Sequence, residues 1–460
     1  MSRREIRKVV LVAASPALAK PENRELDWSF PSYGVRRIQA SLAADPELAH
    51  LEVETWELAA IEPPELAERL RAARADLVGF SAYVWSFAGL LETARHLRRA
   101  DPEIGLVFGG PAAGPRMCAL EPYADAARVL DALVLGEGER TIRELVATRD
   151  LAREKLATIP GLALPAAGGF VPTAARPLDT RLDELASPAQ MDLLPAGWVS
   201  YLETFRGCPM SCSFCEWGVM EAGAHFGADY LERELAGIAR AKPVSIYQVD
   251  AALNLNKPAF RGLAEAERRS GVLRGQTLIT LLYPSLLGDE HLAFLERVGA
   301  LFLTVGLQSF DDEVNSSVAR RTHRDRFERV LADLDALPNL RGLAIELILG
   351  LPTDSPERFR ASLDRALAYG HGVRVYRCLV LPNGLMSRAP AEHAIRFDPA
   401  TLELTSSIGW RPEALAAEQA RMDERVAATR GGYAGQYWWY FPPARSRAAA
   451  HPALPLVRAS

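Results

Sequence analysis

Two long stretches of this chain alternate short β-branched runs with segments of helical spacing. The first, residues 6–147, predicts five strands and four helices, and the second, residues 198–382, predicts six strands with helices between them. Strands that alternate with helices form parallel sheets, because each helix carries the chain back to the edge where the previous strand began. The pattern therefore predicts an α/β protein, with a doubly wound sheet followed by a partial barrel.

The predicted elements have the following bounds. The first stretch is predicted to contain strands Lys8–Ala14, Leu51–Trp56, Asp76–Ser81, Gly105–Phe108 and Ala132–Leu135, and helices Tyr33–Ala44, Pro64–Ala73, Phe87–Ala100 and Arg140–Thr148. The second is predicted to contain strands Val199–Phe205, Val244–Val249, Thr277–Leu282, Leu301–Val305, Leu343–Leu349 and Val373–Leu381. Beyond the barrel lie a helical pattern, Pro412–Thr429, and an aromatic run, Tyr433–Pro443.

Charge and composition exclude some partners. The formal net charge of −5 gives no basic excess, so we expect no nucleic-acid partner. The apolar run from Val9 to Ala14 is short for a signal peptide and is interpreted as the first strand. Because no stretch is long and apolar enough to cross a bilayer, we expect a cytoplasmic protein with no membrane partner.

Three of the five cysteines, Cys208, Cys212 and Cys215, form a CxxxCxxC motif just after the first barrel strand. Three thiolates can hold three irons of a cubic iron–sulfur cluster and leave the fourth iron open to a small molecule. The competing interpretation is a zinc site, which needs a fourth ligand such as His225. A disulfide framework is less favoured, because the chain carries few cysteines and no convincing secretory signal.

The motif, with Phe214 just before its last cysteine, resembles the signature of the radical S-adenosylmethionine (radical SAM) superfamily. The resemblance implies a [4Fe-4S] cluster on Cys208, Cys212 and Cys215. It also implies that the open iron binds the amino and carboxylate groups of S-adenosylmethionine (SAM), which one electron cleaves to a 5′-deoxyadenosyl radical. The electron donor is expected to be a protein such as flavodoxin or ferredoxin.

The first stretch resembles the cobalamin-binding domain found in one branch of this superfamily, through the segments Asp76–Trp85, Val107–Pro111 and Val134–Thr141. Glycines at strand ends let a large ligand approach the backbone, although they also serve ordinary turns. The DxHxxG signature is absent, which implies cobalamin bound without a protein imidazole. The residues implied to contact cobalamin are Ser81, Tyr83, Trp85, Gly109, Gly110, Gly136, Glu137 and Gly138.

The barrel strands also carry an implied SAM site. Arg320 lies twelve residues beyond Gln308, as in coproporphyrinogen-dehydrogenase-like members, and Glu346 stands in place of their Asp. An arginine can bind the methionine carboxylate in a bidentate manner, whereas the alternative for Arg320 is a surface helix charge. The residues implied to contact SAM are Phe214, Gln308, Ser309, Arg320, Glu346 and Gly350.

Other polar residues have two interpretations. Many relatives carry a Glu shortly before a Pro on the third strand, but here Leu281, Leu282 and Tyr283 precede Pro284. Asp250, Asn254 and Asn256 end the second strand and either meet the substrate or cap turns. Cys118 and Cys378 are interpreted as packed thiols.

These observations together predict four parts. They are a Rossmann-like cobalamin-binding domain over residues 1–148, a linker over 149–195, a partial (β/α)6 TIM-type radical SAM barrel over 196–385, and a small C-terminal helical region over 386–460 that caps the substrate. The catalytic residues and the oligomeric state are not predicted.

The leading hypothesis is a cobalamin-dependent radical SAM enzyme that methylates an unactivated carbon of a small-molecule or natural-product substrate. One alternative keeps the cofactors but begins a cyclisation or rearrangement, or transfers the methyl group from cobalamin without a substrate radical. Another is a non-catalytic metal-binding or redox-sensing protein whose cysteine loop is structural.

Overall fold

The computed structural model describes residues 5–14, 31–58, 60–219, 223–322, 324–428, 431–433 and 437–440. The chain divides into two compact units, and the boundary between them falls between Pro195 and Ala196. Within the described ranges, no helix combines the length and the apolar character needed to span a membrane.

The first unit is a sheet with helices between its strands. Its strands are Lys8–Ala14 (β1), Glu52–Leu58 (β2), Leu77–Ser81 (β3), Gly105–Gly109 (β4), Ala132–Val134 (β5), Leu162–Ala166 (β6) and Gly169–Pro172 (β7). Its helices are Tyr33–Ala43 (α1), Pro63–Ala72 (α2), Phe87–Ala100 (α3), Pro115–Cys118 (α4), Ala126–Val129 (α5), Gly138–Ala147 (α6) and Arg153–Leu156 (α7).

The strand order is β2-β1-β3-β4-β5-β6-β7, and β1 to β5 pair in parallel. The central strand β1 is almost wholly buried from Val9 to Val12, as expected for a parallel strand with helices on both faces. This order confirms the predicted doubly wound sheet. The chain reverses its direction of growth between β1 and β3, and ligands of such sheets bind at the carboxyl ends of the strands beside that point.

Part of the predicted linker belongs to the sheet. Strands β6 and β7 form an antiparallel hairpin that pairs with β5, and Leu162, Ala163 and Leu164 are buried. The hairpin turns at two glycines with positive φ, Gly168 (87°) and Gly169 (139°). The Ala-, Pro- and Gly-rich composition resembles a linker because these strands are short and contain proline, which strands tolerate mainly at sheet edges.

The second unit contains the barrel. Its strands are Val199–Leu202 (β8), Ser245–Gln248 (β9), Thr277–Leu282 (β10), Ala300–Gln308 (β11), Leu340–Leu349 (β12), Gly372–Arg377 (β13), Arg396–Phe397 (β14), Leu404–Ser406 (β15), Gly432–Tyr433 (β16) and Tyr437–Tyr440 (β17). Its helices are Ala228–Arg240 (α8), Lys257–Ser270 (α9), Asp289–Leu295 (α10), Asp312–Ser317 (α11), Arg324–Asp335 (α12), Pro356–Ala368 (α13), Leu385–Arg388 (α14) and Pro412–Ala427 (α15).

Strands β8 to β13 pair in parallel and lie in chain order, which confirms the predicted six-stranded partial barrel. The C-terminal part differs from the predicted helical region. Helix α15 is present, but Tyr437–Tyr440 forms β17, which extends the barrel sheet antiparallel to β13. Trp438 on β17 is buried, and its Nε1 donates to Asp423 Oδ1 on α15 at 2.7 Å. Because all four residues of β17 are aromatic, hydropathy alternation gives no signal for a strand. Residues 434–436 and 441–443 of the predicted aromatic run lie outside the described residues.

Candidate functional site

The cysteine motif lies in a loop that leaves the carboxyl end of β8. An isolated antiparallel bridge joins Phe205 to His225 at the base of the loop. Two backbone hydrogen bonds close the same base, from Arg206 N to Ala224 O at 3.0 Å and from Phe226 N to Thr204 O at 2.9 Å. We call residues 206–224 the cluster loop, of which residues 220–222 lie outside the description. Its position is the end of the barrel where active sites of this architecture lie.

The three thiols of the motif are brought together. All three cysteines are free, Cys212 is buried, and Cys208 and Cys215 are partly buried. Burial raises the pKa of the Cys208 thiol and raises that of Cys215 to about 11. The neighbouring thiols of Cys212 and Cys208 add to the rise at Cys215, and the Arg320 guanidinium opposes it. Metal binding requires thiolates, so assembly of a cluster would release the protons of these thiols.

Backbone packing fixes the shape of the loop. A Cβ atom on Gly218 would lie 2.5 Å from the carbonyl oxygen of Met210, a distance that no side chain tolerates. Gly207, directly before Cys208, has a φ of 83°, which favours glycine. The loop is therefore compact around its cysteines, and the chemistry of three neighbouring thiols beside the positive charge of Arg320 fits the cluster that the motif predicts.

Two residues of the predicted SAM site meet beside the cluster loop. Arg320 donates through Nη2 to Gly306 O, and its Nη1 lies 4.0 Å from Cys212 Sγ. A Cβ atom on Gly306 would lie 3.0 Å from Gln308 Nε2 and 3.2 Å from Arg320 Nη2, so both side chains lie over this glycine. Gln308 ends β11 with a φ of 75°, next to a register shift against β12. Arg320 is thus a partly buried residue outside the helices rather than a surface helix charge.

Tyr283, at the position where the resemblance implies a Glu, packs against Arg320. The Arg320 guanidinium lies 4.3 Å from the centre of the Tyr283 ring, within the range of a cation–π contact. The Tyr283 hydroxyl donates to Arg321 O at 2.6 Å, and the Tyr283 backbone is held on both sides by the Asn254 side chain at 2.9 Å. Asn254 is therefore a structural residue, and Asn256 is the N-cap of α9.

The other predicted SAM residues lie in different surroundings. Ser309 is buried, and its hydroxyl lies 3.3 Å from Ser362 Oγ and accepts from Asp311 N at 3.1 Å. Gly350 has a φ of 100° after the end of β12. Phe214 lies in the cluster loop and is partly buried. Glu346 accepts a hydrogen bond from the Tyr376 hydroxyl at 3.0 Å. The structure therefore groups Gln308, Arg320 and the cysteines, and it places Ser309 in contacts within the protein.

The predicted cobalamin residues line the carboxyl edge of the first sheet. Ser81 ends β3 and Gly109 ends β4, whereas Gly136, Glu137 and Gly138 follow β5. A Cβ atom on Gly110, whose φ is 94°, would lie 2.9 Å from Ala82 O. At Gly136, whose φ is 68°, no described atom lies within 4 Å of such a Cβ. The backbone of Gly136 is thus open to a ligand.

Two aromatic side chains lie at the same edge. Trp85 is 40% exposed and stacks on Tyr83 with a centroid distance of 4.4 Å. The Trp85 Nε1 donates to Ala14 O at 3.2 Å, which joins the ends of β1 and β3 beside the reversal point of the sheet. By contrast, Glu137 accepts from Asp179 N at 2.9 Å, and Gly138 begins α6 against Ile38. The edge fits a large flat ligand through Trp85 and the glycine backbone.

Models of two protein families match the chain. The B12 binding domain matches residues 29–146, and the radical SAM superfamily matches residues 202–366. The chain therefore carries a B12 binding domain followed by a radical SAM domain.

Two curated relatives are methyltransferases. The chain is 29% identical to the 2-(S-pantetheinyl)-carbapenam-3-carboxylate methyltransferase of Streptantibioticus cattleyicolor, over 67% of this chain and 47% of that protein. It is 28% identical to the cobalamin-dependent radical SAM methyltransferase TokK of Streptomyces tokunonensis, again over 67% and 47%. The chain thus spans about half the length of these relatives.

Solved structures share the fold. TsrM from Kitasatospora setae, with tryptophan substrate and a SAM analogue bound, superposes with a TM-score of 0.65 at 19% identity, over 92% of this chain and 88% of that chain. OxsB, with aqua-cobalamin and SAM bound, superposes with a TM-score of 0.67 at 15% identity, over 92% and 67%. Both neighbours therefore share the fold over nine-tenths of this chain.

The zinc interpretation needs a fourth ligand, and in the described part of the chain no group of three His, Cys, Asp or Glu side chains is arranged to hold a single metal ion. His225 is exposed, and its Nδ1 lies 3.3 Å from Gly223 O. Burial raises the pKa of Cys118 and that of Cys378 to about 12, as expected for packed thiols.

One polar network holds the base of the cluster loop. Asp250 is buried and accepts hydrogen bonds from Thr204 N at 2.8 Å, from Thr204 Oγ1 at 2.5 Å and from Gln248 Nε2 at 2.5 Å. Burial raises the pKa of Asp250 to about 7, although these donors favour its charged form. The interpretation that Asp250 meets the substrate is not supported, because its oxygens accept hydrogen bonds from Thr204, just before the cluster loop, and from Gln248 on β9.

A second set of contacts comes from the chain after β13, which sequence reasoning missed. Arg388 donates through Nη2 to Cys215 O, and Asn383 N donates to Glu216 Oε1 at 2.9 Å. A Cβ atom on Gly384 would lie 3.3 Å from the carbonyl oxygens of Ser213 and Phe214. No motif marks these residues, because their role depends on a contact between segments far apart in sequence.

Proposed function

We propose that this protein is a cobalamin-dependent radical SAM methyltransferase that methylates a carbon of a small molecule. The observation that carries the proposal is the pairing, in one chain, of a three-cysteine loop at the carboxyl end of the first barrel strand with a B12-binding domain. The curated relatives named above are methyltransferases, which favours methyl transfer over rearrangement.

The residues have distinct proposed roles. Cys208, Cys212 and Cys215 would hold the [4Fe-4S] cluster, and Gln308 and Arg320, with its positive charge beside Cys212, would hold SAM. Trp85 and the backbone at Gly136 would contact cobalamin. When bound, these groups supply the electron that cleaves SAM and the methyl group that is transferred. The chain positions them and keeps water away.

The proposal includes the cellular setting. The electron must come from outside the chain, and a flavodoxin or ferredoxin is the proposed donor. Free cysteines that bind an iron–sulfur cluster require a reducing compartment, which favours the cytoplasm.

Replacing Cys212 by Ala tests the cluster and the catalytic class together. We expect the variant to lose bound iron and the formation of 5′-deoxyadenosine, because an incomplete thiolate set does not hold the cluster. Cys378→Ala is the matched control, since Cys378 is also a buried free cysteine but lies on no proposed site. Iron analysis and chromatography of the SAM products, under anaerobic conditions, give both readouts.

Two outcomes would contradict the proposal. If Cys212→Ala kept its iron and still cleaved SAM, the cluster assignment would be wrong. If the wild-type protein cleaved SAM but no deuterium from methyl-labelled SAM entered any product of a substrate screen, the proposal of methyl transfer would be rejected in favour of rearrangement chemistry.

A further inference from the structure

The barrel sheet has two faces of different character. On β13, Val373 and Val375 are fully buried, whereas Arg374 and Tyr376 between them are partly exposed. On β12, Ile345 and Leu347 are fully buried and Glu346 is not. Helix α13 packs on both strands, so the valines, Ile345 and Leu347 lie on the helix-covered face. The opposite face, here called the inner face, carries the accessible side chains.

The inner face gathers one arginine, one glutamate and four tyrosines. Tyr376 and Tyr437 lie with their rings 4.9 Å apart, and Arg374 lies 5.9 Å from the Tyr437 ring. Tyr201 and Tyr247, on β8 and β9, meet edge to face at 6.0 Å. The pKa of Tyr247 is raised mainly by burial and secondly by the negative charge of Glu346. Glu346 therefore lies close to the tyrosines on the same face of the sheet. We call this set the inner-face cluster: Tyr201, Tyr247, Glu346, Arg374, Tyr376 and Tyr437.

Arg374 is weakly held within this cluster. Its Nη1 lies 3.5 Å from Glu346 Oε1 and 3.4 Å from Thr304 Oγ1, and both distances are long for hydrogen bonds. Among the described residues, no polar contact of this kind is made by the other guanidinium nitrogens. The side chain is 38% exposed although aromatic rings surround it. Its donors therefore face accessible space.

The glutamate does not neutralise this arginine in a tight ion pair. Glu346 is 12% exposed, and the Tyr376 hydroxyl donates to the same Oε1 atom at 3.0 Å. The nearby charges and phenols keep Arg374 protonated: burial lowers its pKa, but Tyr376 and Glu346 outweigh that effect and raise it. The cluster thus presents a permanent cation with free donors beside flat apolar rings.

We propose that Arg374 binds a carboxylate of the substrate, and that the tyrosines of the inner-face cluster pack against the body of that molecule. A guanidinium matches a carboxylate with two parallel hydrogen bonds. Tyrosine rings supply a large rigid contact surface with polar ends. A doubly charged phosphate is disfavoured, because Glu346 lies 3.5 Å from Arg374 and repels a second negative charge. The substrate class is therefore a small monocarboxylic acid with a flat or apolar body. This inference rests on the proposed function, since it names the substrate of that site.

The test uses the purified full chain and a matched pair of probes, indole-3-acetate and indole-3-acetamide, which differ only in the carboxylate. Saturation-transfer NMR titrations measure their affinities. We expect the wild-type protein to bind the acid about tenfold more tightly than the amide. Arg374→Gln is expected to lose this preference. Arg341→Gln, an exposed arginine on β12, is the matched control and should keep it.

The proposal is overturned if the wild-type protein binds both probes alike or neither, or if Arg374→Gln keeps the preference for the acid. Circular dichroism confirms that each variant is folded. Iron content, cobalamin absorbance and 5′-deoxyadenosine formation without substrate are measured in parallel. If Arg374→Gln loses iron, cobalamin or 5′-deoxyadenosine formation while it still binds the acid, Arg374 serves a cofactor and the substrate assignment is wrong. If the wild-type protein itself shows none of these three properties, the proposed function fails whatever the probes show.

Discussion

The cluster loop and the cobalamin edge of the first sheet reach their shapes in different ways. The cluster loop is held by side chains from distant segments: Asp250 at its base, Arg388 at Cys215 O and Arg320 beside Cys212. The cobalamin edge is formed mainly by backbone, with positive φ at Gly110 and Gly136. We therefore expect the cluster loop to be disrupted by substitutions that remove a hydrogen-bonding side chain. We expect the cobalamin edge to be disrupted by substitutions that add a side chain to one of its glycines.

The largest expected effect is that of Asp250→Ala. The change strands the Thr204 amide, the Thr204 hydroxyl and the Gln248 amide in the interior. Buried donors without acceptors should lower the free energy of unfolding by about 3 kcal/mol. The same change frees the base of the cluster loop, so bound iron after reconstitution should fall. Urea denaturation and iron analysis measure the two effects.

Asn339→Ala is the matched control for this prediction. Asn339 is also buried, and its side chain donates to Leu295 O at 2.8 Å and to Val298 O at 2.6 Å, away from the cluster loop. It should lose stability and keep its iron. Equal iron loss in both variants would mean that Asp250 acts only through global stability.

Gly110→Ala should produce the next largest effect, now on the cobalamin edge. The new Cβ would lie 2.9 Å from Ala82 O at a φ of 94°, so the backbone after β4 must move. We expect the affinity for hydroxocobalamin, measured by its visible absorbance, to fall by about tenfold or more, which corresponds to about 1.4 kcal/mol. Iron content should not change.

Gly136→Ala sharpens the comparison. Its φ of 68° carries a similar backbone cost, but no described atom lies within 4 Å of the new Cβ. In the free protein it should therefore cost only about 1 kcal/mol in the free energy of unfolding. Cobalamin affinity should fall nonetheless, because the methyl group occupies the open side of the backbone. Unchanged affinity would show that this glycine serves the turn alone.

The smallest expected effect is that of Arg388→Gln. The variant replaces a charged donor to Cys215 O by a neutral amide, and this weakening is expected to cost about 0.5 kcal/mol locally. The cluster should still assemble, but its EPR signal after reduction should shift or broaden because the backbone at Cys215 is less well held. Arg396→Gln, an exposed arginine on β14, provides the comparison and should leave the spectrum unchanged.

Much of the fold could be predicted because apolar runs determine local structure. Lys8–Ala14 and Thr277–Leu282 are predicted with the bounds that the structure shows. Three strands were not predicted from the sequence. Strands β6 and β7 are short and contain proline, and strand β17 consists only of aromatic residues. The β6–β7 hairpin and β17 both join sheets through pairing with distant strands, and that pairing has no local signature.

By itself, the sequence determined that β1 to β5 and β8 to β13 form parallel sheets, and it determined the position of the three-cysteine loop, because hydrophobic periodicity and ligand spacing are local properties. Only the tertiary structure decided which polar residues serve the protein and which face open space. Asp250 and Asn254 both follow strand β9, and the side chain of each is engaged in hydrogen bonds with buried backbone groups. In the sequence, nothing distinguishes Arg374 from any other strand residue. In the structure, strands β12, β13 and β17 bring Glu346 and the tyrosines next to it. The free energy of burying a charge depends on neighbours that only the folded chain brings together.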